Sequence, residues 1–321
     1  MSTRLGIIGT GRIANRFVTD AWQGTDVKLN AVYNPNLTSA EDFCRRHCLP
    51  LGTDSFPDFM EQIDAAYVAS PTPSHGEYIR MLLEGGKHVL CEKPMVLQEQ
   101  EARELFELAR IKGSVLMEAI KTAYCPGFMA LLEVIRAGNI GQVRDVEACF
   151  TRLTDPQLRE LTDTKYGGSM TELGSYGCFA VLKILGCECG RVSFSVQRNS
   201  EGLDIFTKTF FEYQDDGRTG LVKSGLGVKS EGELIISGTQ GYILVRAPWW
   251  LTKHFEVRYE DPHKCDSYDY PFEGNGLQYE LQHFLHRIEG KTAEEPVTER
   301  ESIELAGIME RFLASEAEYR N

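Results

Sequence analysis

A strand-like run, Arg4 to Ile8, leads straight into Gly9-Thr10-Gly11-Arg12-Ile13-Ala14. The first glycine allows a sharp bend out of the strand, the second lets backbone approach a ligand closely, and the small Ala14 lets the following helix pack against the sheet. Unpaired N–H groups and the dipole at that helix start favour an anion. In a strand–turn–helix setting this is the pattern of a dinucleotide-binding βαβ unit, and it nominates Gly9, Thr10, Gly11, Arg12 and Ile13 as cofactor contacts, with the pyrophosphate on the backbone at the helix start and Arg12 toward the adenosine end.

The segments that follow keep the same alternation. Ile13, Ala14, Phe17, Val18, Ala21 and Trp22 share one helical face. Val27 to Tyr33 reads as the second strand, and Thr38 with Glu41 reads as a capping box opening a helix. Further strands are expected at Ala65 to Ala69, His88 to Cys91 and Val115 to Ile120, with helices at Glu77 to Leu83 and Gln98 to Lys112. Ser70 to His75 is a loop by its prolines. Strand–helix alternation of this kind predicts a parallel sheet covered by helices on both faces.

The pattern changes near Tyr124-Cys125-Pro126-Gly127. After a helix from Phe128 to Ala137, seven candidate strands follow: Val143 to Phe150, Val192 to Arg198, Ile205 to Tyr213, Gly220 to Leu226, Glu233 to Ser237, Tyr242 to Arg246 and Phe255 to Tyr259. They are joined by turns, among them a hairpin at Asp215-Asp216-Gly217. Two helices close the chain, Gln278 to Ile288 and Glu299 to Ala317, the second opened by a Thr298/Glu301 capping box. The fold class is therefore α/β: a dinucleotide-binding Rossmann domain over 1–122 with a parallel sheet, then an α+β domain over 123–321 with a mostly antiparallel sheet. A chain of 321 residues suits two such cores.

Composition narrows the partners. A formal net charge of −13 argues against nucleic acid, which requires a clustered basic surface. It favours a small-molecule substrate that is neutral or cationic overall, or one that is locally steered. No apolar run approaches a membrane span, and Met1-Ser2-Thr3 passes directly into the first strand without a signal-peptide pattern, so a soluble cytoplasmic protein is expected. The nine cysteines include the pairs Cys44/Cys48 and Cys187/Cys189, neither with a second half-site, which predicts reduced thiols and no metal. At the tip of the second strand stands Asn34, where an acid would select NAD and an arginine NADP. An asparagine binds ribose hydroxyls without repelling a 2′-phosphate, so the expected cofactor is NAD(H) with NADP(H) tolerated.

A second signature, Cys91-Glu92-Lys93-Pro94, closes a later strand. Together with Gly6 to Ala14, Ser70 to His75 and Gly167-Gly168-Ser169-Met170-Thr171-Glu172-Leu173-Gly174-Ser175-Tyr176, it resembles the glucose-fructose oxidoreductase, inositol dehydrogenase and rhizopine-catabolism (Gfo/Idh/MocA) family over nearly the whole chain. The resemblance implies hydride transfer between a nicotinamide and a carbinol carbon of a sugar, sugar derivative or cyclic polyol. It also implies cofactor contacts from Ser70, Pro71, Thr72, His75, Glu92 and Lys93, a catalytic Lys93, and a homodimer or higher homo-oligomer built through the C-terminal sheet.

Alcohol oxidation removes a hydroxyl proton as hydride leaves the same carbon, so a base is required. Many similar enzymes carry Asp-x-Gly-x-His at the position where this chain has Glu172-Leu173-Gly174-Ser175-Tyr176. The tyrosine resembles the dihydrodiol dehydrogenase and glucose-fructose oxidoreductase branch, and Tyr176 is the expected proton donor and acceptor, assisted by Lys93. A nearby ammonium favours a phenolate. Where that branch typically has tryptophan and arginine, this chain has Lys121 and Ala123, so Lys121, Tyr124 and Glu172 are the substrate-facing candidates. Two alternatives stay open: glycoside cleavage driven by transient oxidation with tightly bound NAD, and a non-catalytic dinucleotide-sensing regulator.

Overall fold

The computed structural model describes residues 2–21 and 27–320. Its first half runs β1 (Arg4–Ile8), α1 (Arg12–Asp20), β2 (Lys28–Tyr33), α2 (Leu37–His47), β3 (Leu51–Thr53), α3 (Phe56–Glu61), β4 (Ala65–Val68), α4 (His75–Glu84), β5 (His88–Glu92), α5 (Glu99–Lys112) and β6 (Leu116–Ala119). The six strands form one sheet in the order β3-β2-β1-β4-β5-β6, every pair parallel. This is the doubly wound Rossmann order, with its reversal between β1 and β4. β4 is buried along its whole length, as expected of a strand covered on both faces.

Two local readings change. The N-cap of α2 is Asn36, whose side chain accepts the N–H of Ser39 at 3.0 Å, so the helix starts before the expected Thr38/Glu41 box. The short β3 and α3 were not anticipated: three strand residues carry no readable alternation. Trp22 lies outside the described residues.

The chain continues with α6 (Pro126–Arg136), β7 (Val143–Thr151), α7 (Ser175–Leu185), β8 (Arg191–Arg198), β9 (Asp204–Glu212), β10 (Thr219–Gly225), β11 (Leu234–Gly238), β12 (Tyr242–Val245), β13 (His254–Arg258), β14 (Cys265–Asp269), α8 (Leu277–Ile288) and α9 (Glu299–Arg320). The second sheet has the order β14-β13-β12-β11-β7-β10-β9-β8. Its pairs are antiparallel except β7 with β10. The 215–217 hairpin forms as read, with Gly217 at φ +71° donating its N–H to Tyr213 O. α7 lies on β7 and β10, and it is buried nearly all round because its residues are apolar on every side. The Thr298/Glu301 box also forms, each residue's N–H donating to the other's side chain.

The structure divides into two compact units, Met1–Lys121 with Glu273–Ala306, and Thr122–Phe272 with Gly307–Asn321. The chain passes from the first unit to the second after Lys121, and 273–306 return to the first unit. Part of the reason is apolar: Ile303 and Ala306 share a core with Leu105, Phe106 and Leu116. Among the described residues no helix is long and apolar enough to cross a membrane. Nor does any group of three or more His, Cys, Asp or Glu gather to hold a metal.

Candidate active site

In the first unit the candidates gather at the carboxyl ends of the strands. Gly9 sits at φ +102°, and a Cβ there would lie 2.7 Å from Ala69 O, so only glycine lets the turn after β1 run against the end of β4. Gly11 caps α1 without a side-chain hydrogen bond, and space for a Cβ on it is open. The start of α1 is thus bare backbone, the feature a pyrophosphate needs. Ala14 is fully buried beneath it. Asn34, at the end of β2, donates from Nδ2 to Thr10 Oγ1 at 2.9 Å and accepts the Asn36 N–H at 2.9 Å on Oδ1, so it braces the glycine turn. The residues present fit a dinucleotide.

Beside this turn the loop after β4 carries Ser70, Pro71 and Thr72, with Thr72–Ser74 forming one 3-10 turn. His75 is 1% exposed. Its Nε2 faces Ser70 O at 2.8 Å, and its Nδ1 faces Pro94 O at 3.1 Å and Met95 O at 3.2 Å. Burial lowers the imidazole below its ordinary value, and the neutral ring has one N–H to share between the two sides. His75 therefore stands between the β4 and β5 loops, its ring facing main-chain carbonyls of both.

At the end of β5, Glu92 accepts the Tyr67 hydroxyl on Oε1 and the Lys93 N–H on Oε2 at 3.2 Å. Tyr67 is itself fixed by stacking on Phe17 of α1, with centroids 3.8 Å apart. Burial, the largest influence, raises Glu92 above the usual carboxylate range, while the ammonium groups of Lys93 and Lys121 and the Tyr67 hydroxyl oppose it. Lys93 is half-buried and is followed by a cis Lys93–Pro94 bond. One strand over, Glu118 accepts the Met95 N–H at 2.9 Å and is hydrogen-bonded by Ser302, with burial raising it to about 7. Lys121 is 8% exposed and acts electrostatically on Glu92 and on Glu280 of α8. Glu280 gave no signal in the sequence, because only the return of α8 places it there.

In the second unit Tyr176 stands in the first turn of α7 and is 8% exposed. Its ring lies 5.3 Å from that of Phe150, which in turn stacks on Trp250 at 3.5 Å. A π-helical turn, Met170–Gly174, leads into α7 and carries Glu172, 3.7 Å from Arg152. Single π turns of this kind recur at functional sites. Tyr124 is buried in the 3-10 turn after β6, and nearby Thr122 donates to Trp250 O at 2.8 Å. Trp249 is a core residue, donating Nε1–H to Cys149 O. Thus Gly9 to Ile13, Asn34, Ser70 to Thr72, Glu92, Lys93 and Lys121 belong to the first unit, and Tyr124, Glu172 and Tyr176 to the second.

Comparison with known proteins places this arrangement. A family model described as an oxidoreductase family with an NAD-binding Rossmann fold matches residues 3–120, and the GFO/IDH/MocA C-terminal domain matches residues 128–244. The chain belongs to the Gfo/Idh/MocA family. It is 30% identical to the trans-1,2-dihydrobenzene-1,2-diol dehydrogenase of Mus musculus over 97% of this chain and 96% of that one. Among solved structures it resembles KijD10, a 3-ketoreductase from Actinomadura kijaniata in complex with NADP and TDP-benzene, with a TM-score of 0.80, 22% identity and 95% of each chain covered. UDP-N-acetylglucosamine 3-dehydrogenase GnnA from Acidithiobacillus ferrooxidans gives a TM-score of 0.82 at 18% identity, covering 99% of both chains. As a Gfo/Idh/MocA protein the chain is an NAD(P)-dependent oxidoreductase.

Proposed function

We propose that this oxidoreductase acts on a carbinol carbon of a sugar, sugar derivative or cyclic diol, with Tyr176 exchanging the hydroxyl proton and Lys93 assisting. The observation that carries the reading is the line of polar groups at the carboxyl ends of β1, β2, β4 and β5: the Gly9–Gly11 turn, Asn34, the Ser70–Thr72 loop, and Glu92 with Lys93. Open α/β sheets bind ligands at this edge. When bound, a nicotinamide supplies the hydride exchange. The bare start of α1 would hold the pyrophosphate, Asn34 the ribose, and the Ser70–Thr72 loop with Glu92 the nicotinamide end. The sugar and diol activities named for the relatives support the substrate class. A tyrosine where many members have histidine supports Tyr176 as the proton carrier, since the reaction needs a group that can both take and return a proton.

Following nicotinamide absorbance with a panel of sugars and cyclic diols tests the reading. Tyr176→Phe and Lys93→Met should each lower kcat by about 100-fold or more, with dinucleotide affinity in Tyr176→Phe unchanged. Near-normal turnover in both variants would remove the assignment. A cleaved glycoside without net reduced cofactor would point instead to redox-assisted elimination. The second sheet carries Phe210, Leu221, Ile235 and Leu244 in register across β9, β10, β11 and β12, flanking Glu147 of β7. This row is the surface we assign to a homodimer, and sedimentation of Phe210→Glu checks it.

A further inference from the structure

Glu280 is fully buried on α8, and among the described residues neither of its carboxyl oxygens has a hydrogen-bond partner. α8 packs against β5 and α1. From the β5 side the charged groups are Glu92 and Lys93, and beyond β6 there is Lys121; Glu92 and Lys121 act directly on the Glu280 carboxyl. On α1, Arg12 and Arg16 are exposed and Asp20 is bonded to Asn275, while Phe17 fills the buried side against Tyr67. On α8 itself, His283 is turned to Glu294 O and Arg287 to Glu295. The cluster therefore holds two buried carboxyls with the Lys121 ammonium acting on both.

The two carboxyls are not equivalent. Glu92 receives a hydroxyl and a main-chain N–H, and it feels Lys93 as well as Lys121. Glu280 receives no donor. An ionised carboxylate buried without donors is strongly disfavoured relative to the neutral acid. We propose that Glu280 is a positioning residue that stands as a neutral carboxylic acid at working pH, leaving the Lys121 charge to the Glu92 carboxylate and so fixing Glu92 next to Lys93. Burial, then the Glu92 charge, raise Glu280 well above the carboxylate range, and Lys121 pulls the other way. Ionising Glu280 would set a second anion against Glu92 and draw Lys121 toward α8. The role rests on the functional reading above for what Glu92 and Lys93 do, whereas the protonation state of Glu280 does not.

Infrared spectroscopy of the full-length protein at pH 8, where Glu118 is largely ionised, decides the state. The wild type should show a protonated-carboxyl C=O stretch that shifts in heavy water and is missing in Glu280→Gln. Glu280→Leu should lose the same band and serves if the Gln variant fails to fold. In the wild type, turnover should fall about ten-fold per pH unit once Glu280 ionises, and this alkaline limb should be absent in Glu280→Gln. No such band in the wild type, or a band that survives both substitutions, overturns the proposal, as does an alkaline limb identical in wild type and Glu280→Gln. If instead Tyr176→Phe and Lys93→Met turn over normally, the functional reading fails while the infrared band still reports on Glu280.

Discussion

The carboxylate of Asp204 accepts the main-chain N–H of Met170 at 2.8 Å, and by that bond a strand residue sets where the Tyr176 helix begins. The same Oδ2 receives the Ser169 hydroxyl at 2.8 Å and the Thr207 hydroxyl at 3.0 Å. A Cβ on Gly168, which sits at φ +108°, would run into Asp204 Oδ1, so the contact is closed from both sides. Burial raises Asp204 to about 6 against the pull of these donors, which leaves it mostly ionised at neutral pH. Asp204→Ala strands the Met170 N–H and the Thr207 hydroxyl, while the Ser169 hydroxyl keeps Asp204 O at 3.2 Å, and should cost about 2–4 kcal/mol by denaturant unfolding. Asp204→Asn retains one acceptor oxygen, so it should be milder in stability and still lower kcat more than it raises the dinucleotide Kd. Equal effects on both quantities would separate Asp204 from Tyr176.

Gly9 and Gly11 should fail in different ways. At Gly9 a Cβ meets both a positive φ and main-chain atoms of Ala69 and Ser70 within 3.0 Å, none of which is a flexible side-chain end. Gly9→Ala should therefore destabilise the fold by about 1–3 kcal/mol as well as weaken dinucleotide binding. Gly11→Ala meets nothing within 4 Å and φ is −74°, so stability should be retained. What it fills is the space over the α1 start, and dinucleotide affinity should fall there alone. Thermal unfolding beside fluorescence titration with NADH distinguishes the two.

The glycine turn, the strand alternation and the Glu92-Lys93 signature were legible because each is a local requirement: a φ sign, a period of two, a residue at a strand end. Asp204 and Glu280 were not. Each owes its character to a partner far along the chain, Met170 for the first and Glu92 for the second, and nothing in their own neighbourhoods marks them. β14, Cys265–Asp269, escaped notice for a different reason: it is a polar edge strand with exposed and half-exposed residues alternating, and so gives no apolar period. The placement of α8 depended on which core would accept its apolar face. Both cores are apolar, so periodicity could not choose between them.

Glu118 gives a pH dependence of stability with a definite sign. Its carboxyl is raised from the ordinary range near 4.5 to about 7, chiefly by burial, so the folded protein holds this proton more tightly than the unfolded chain. The stabilisation from that proton is complete below about pH 4.5 and is lost as pH rises through about 7, a change of about 3 kcal/mol for the single group. Glu118→Gln keeps an acceptor for the Met95 N–H and cannot ionise. Urea unfolding at a series of pH values should show a smaller decline for the variant over that window; parallel curves for both proteins would contradict the sign.

Asn34 is the position at which we propose that cofactor preference is set. Its Nδ2–H to Thr10 Oγ1 and its Oδ1 to the Asn36 N–H are the two bonds that hold the side chain at the tip of β2. Asn34→Asp can keep both, since a carboxylate still accepts from Asn36 N–H and the Thr10 hydroxyl can turn to donate instead of accept. The backbone brace therefore survives, and the change is one of charge. A carboxylate there bonds ribose hydroxyls and repels a 2′-phosphate, so NADP(H) affinity should drop by about ten-fold or more, the equivalent of roughly 1.4 kcal/mol, with NAD(H) affinity held or improved. Parallel titrations with NADH and NADPH check it. Equal losses for both cofactors would mean that the β2 tip does not reach the adenosine ribose.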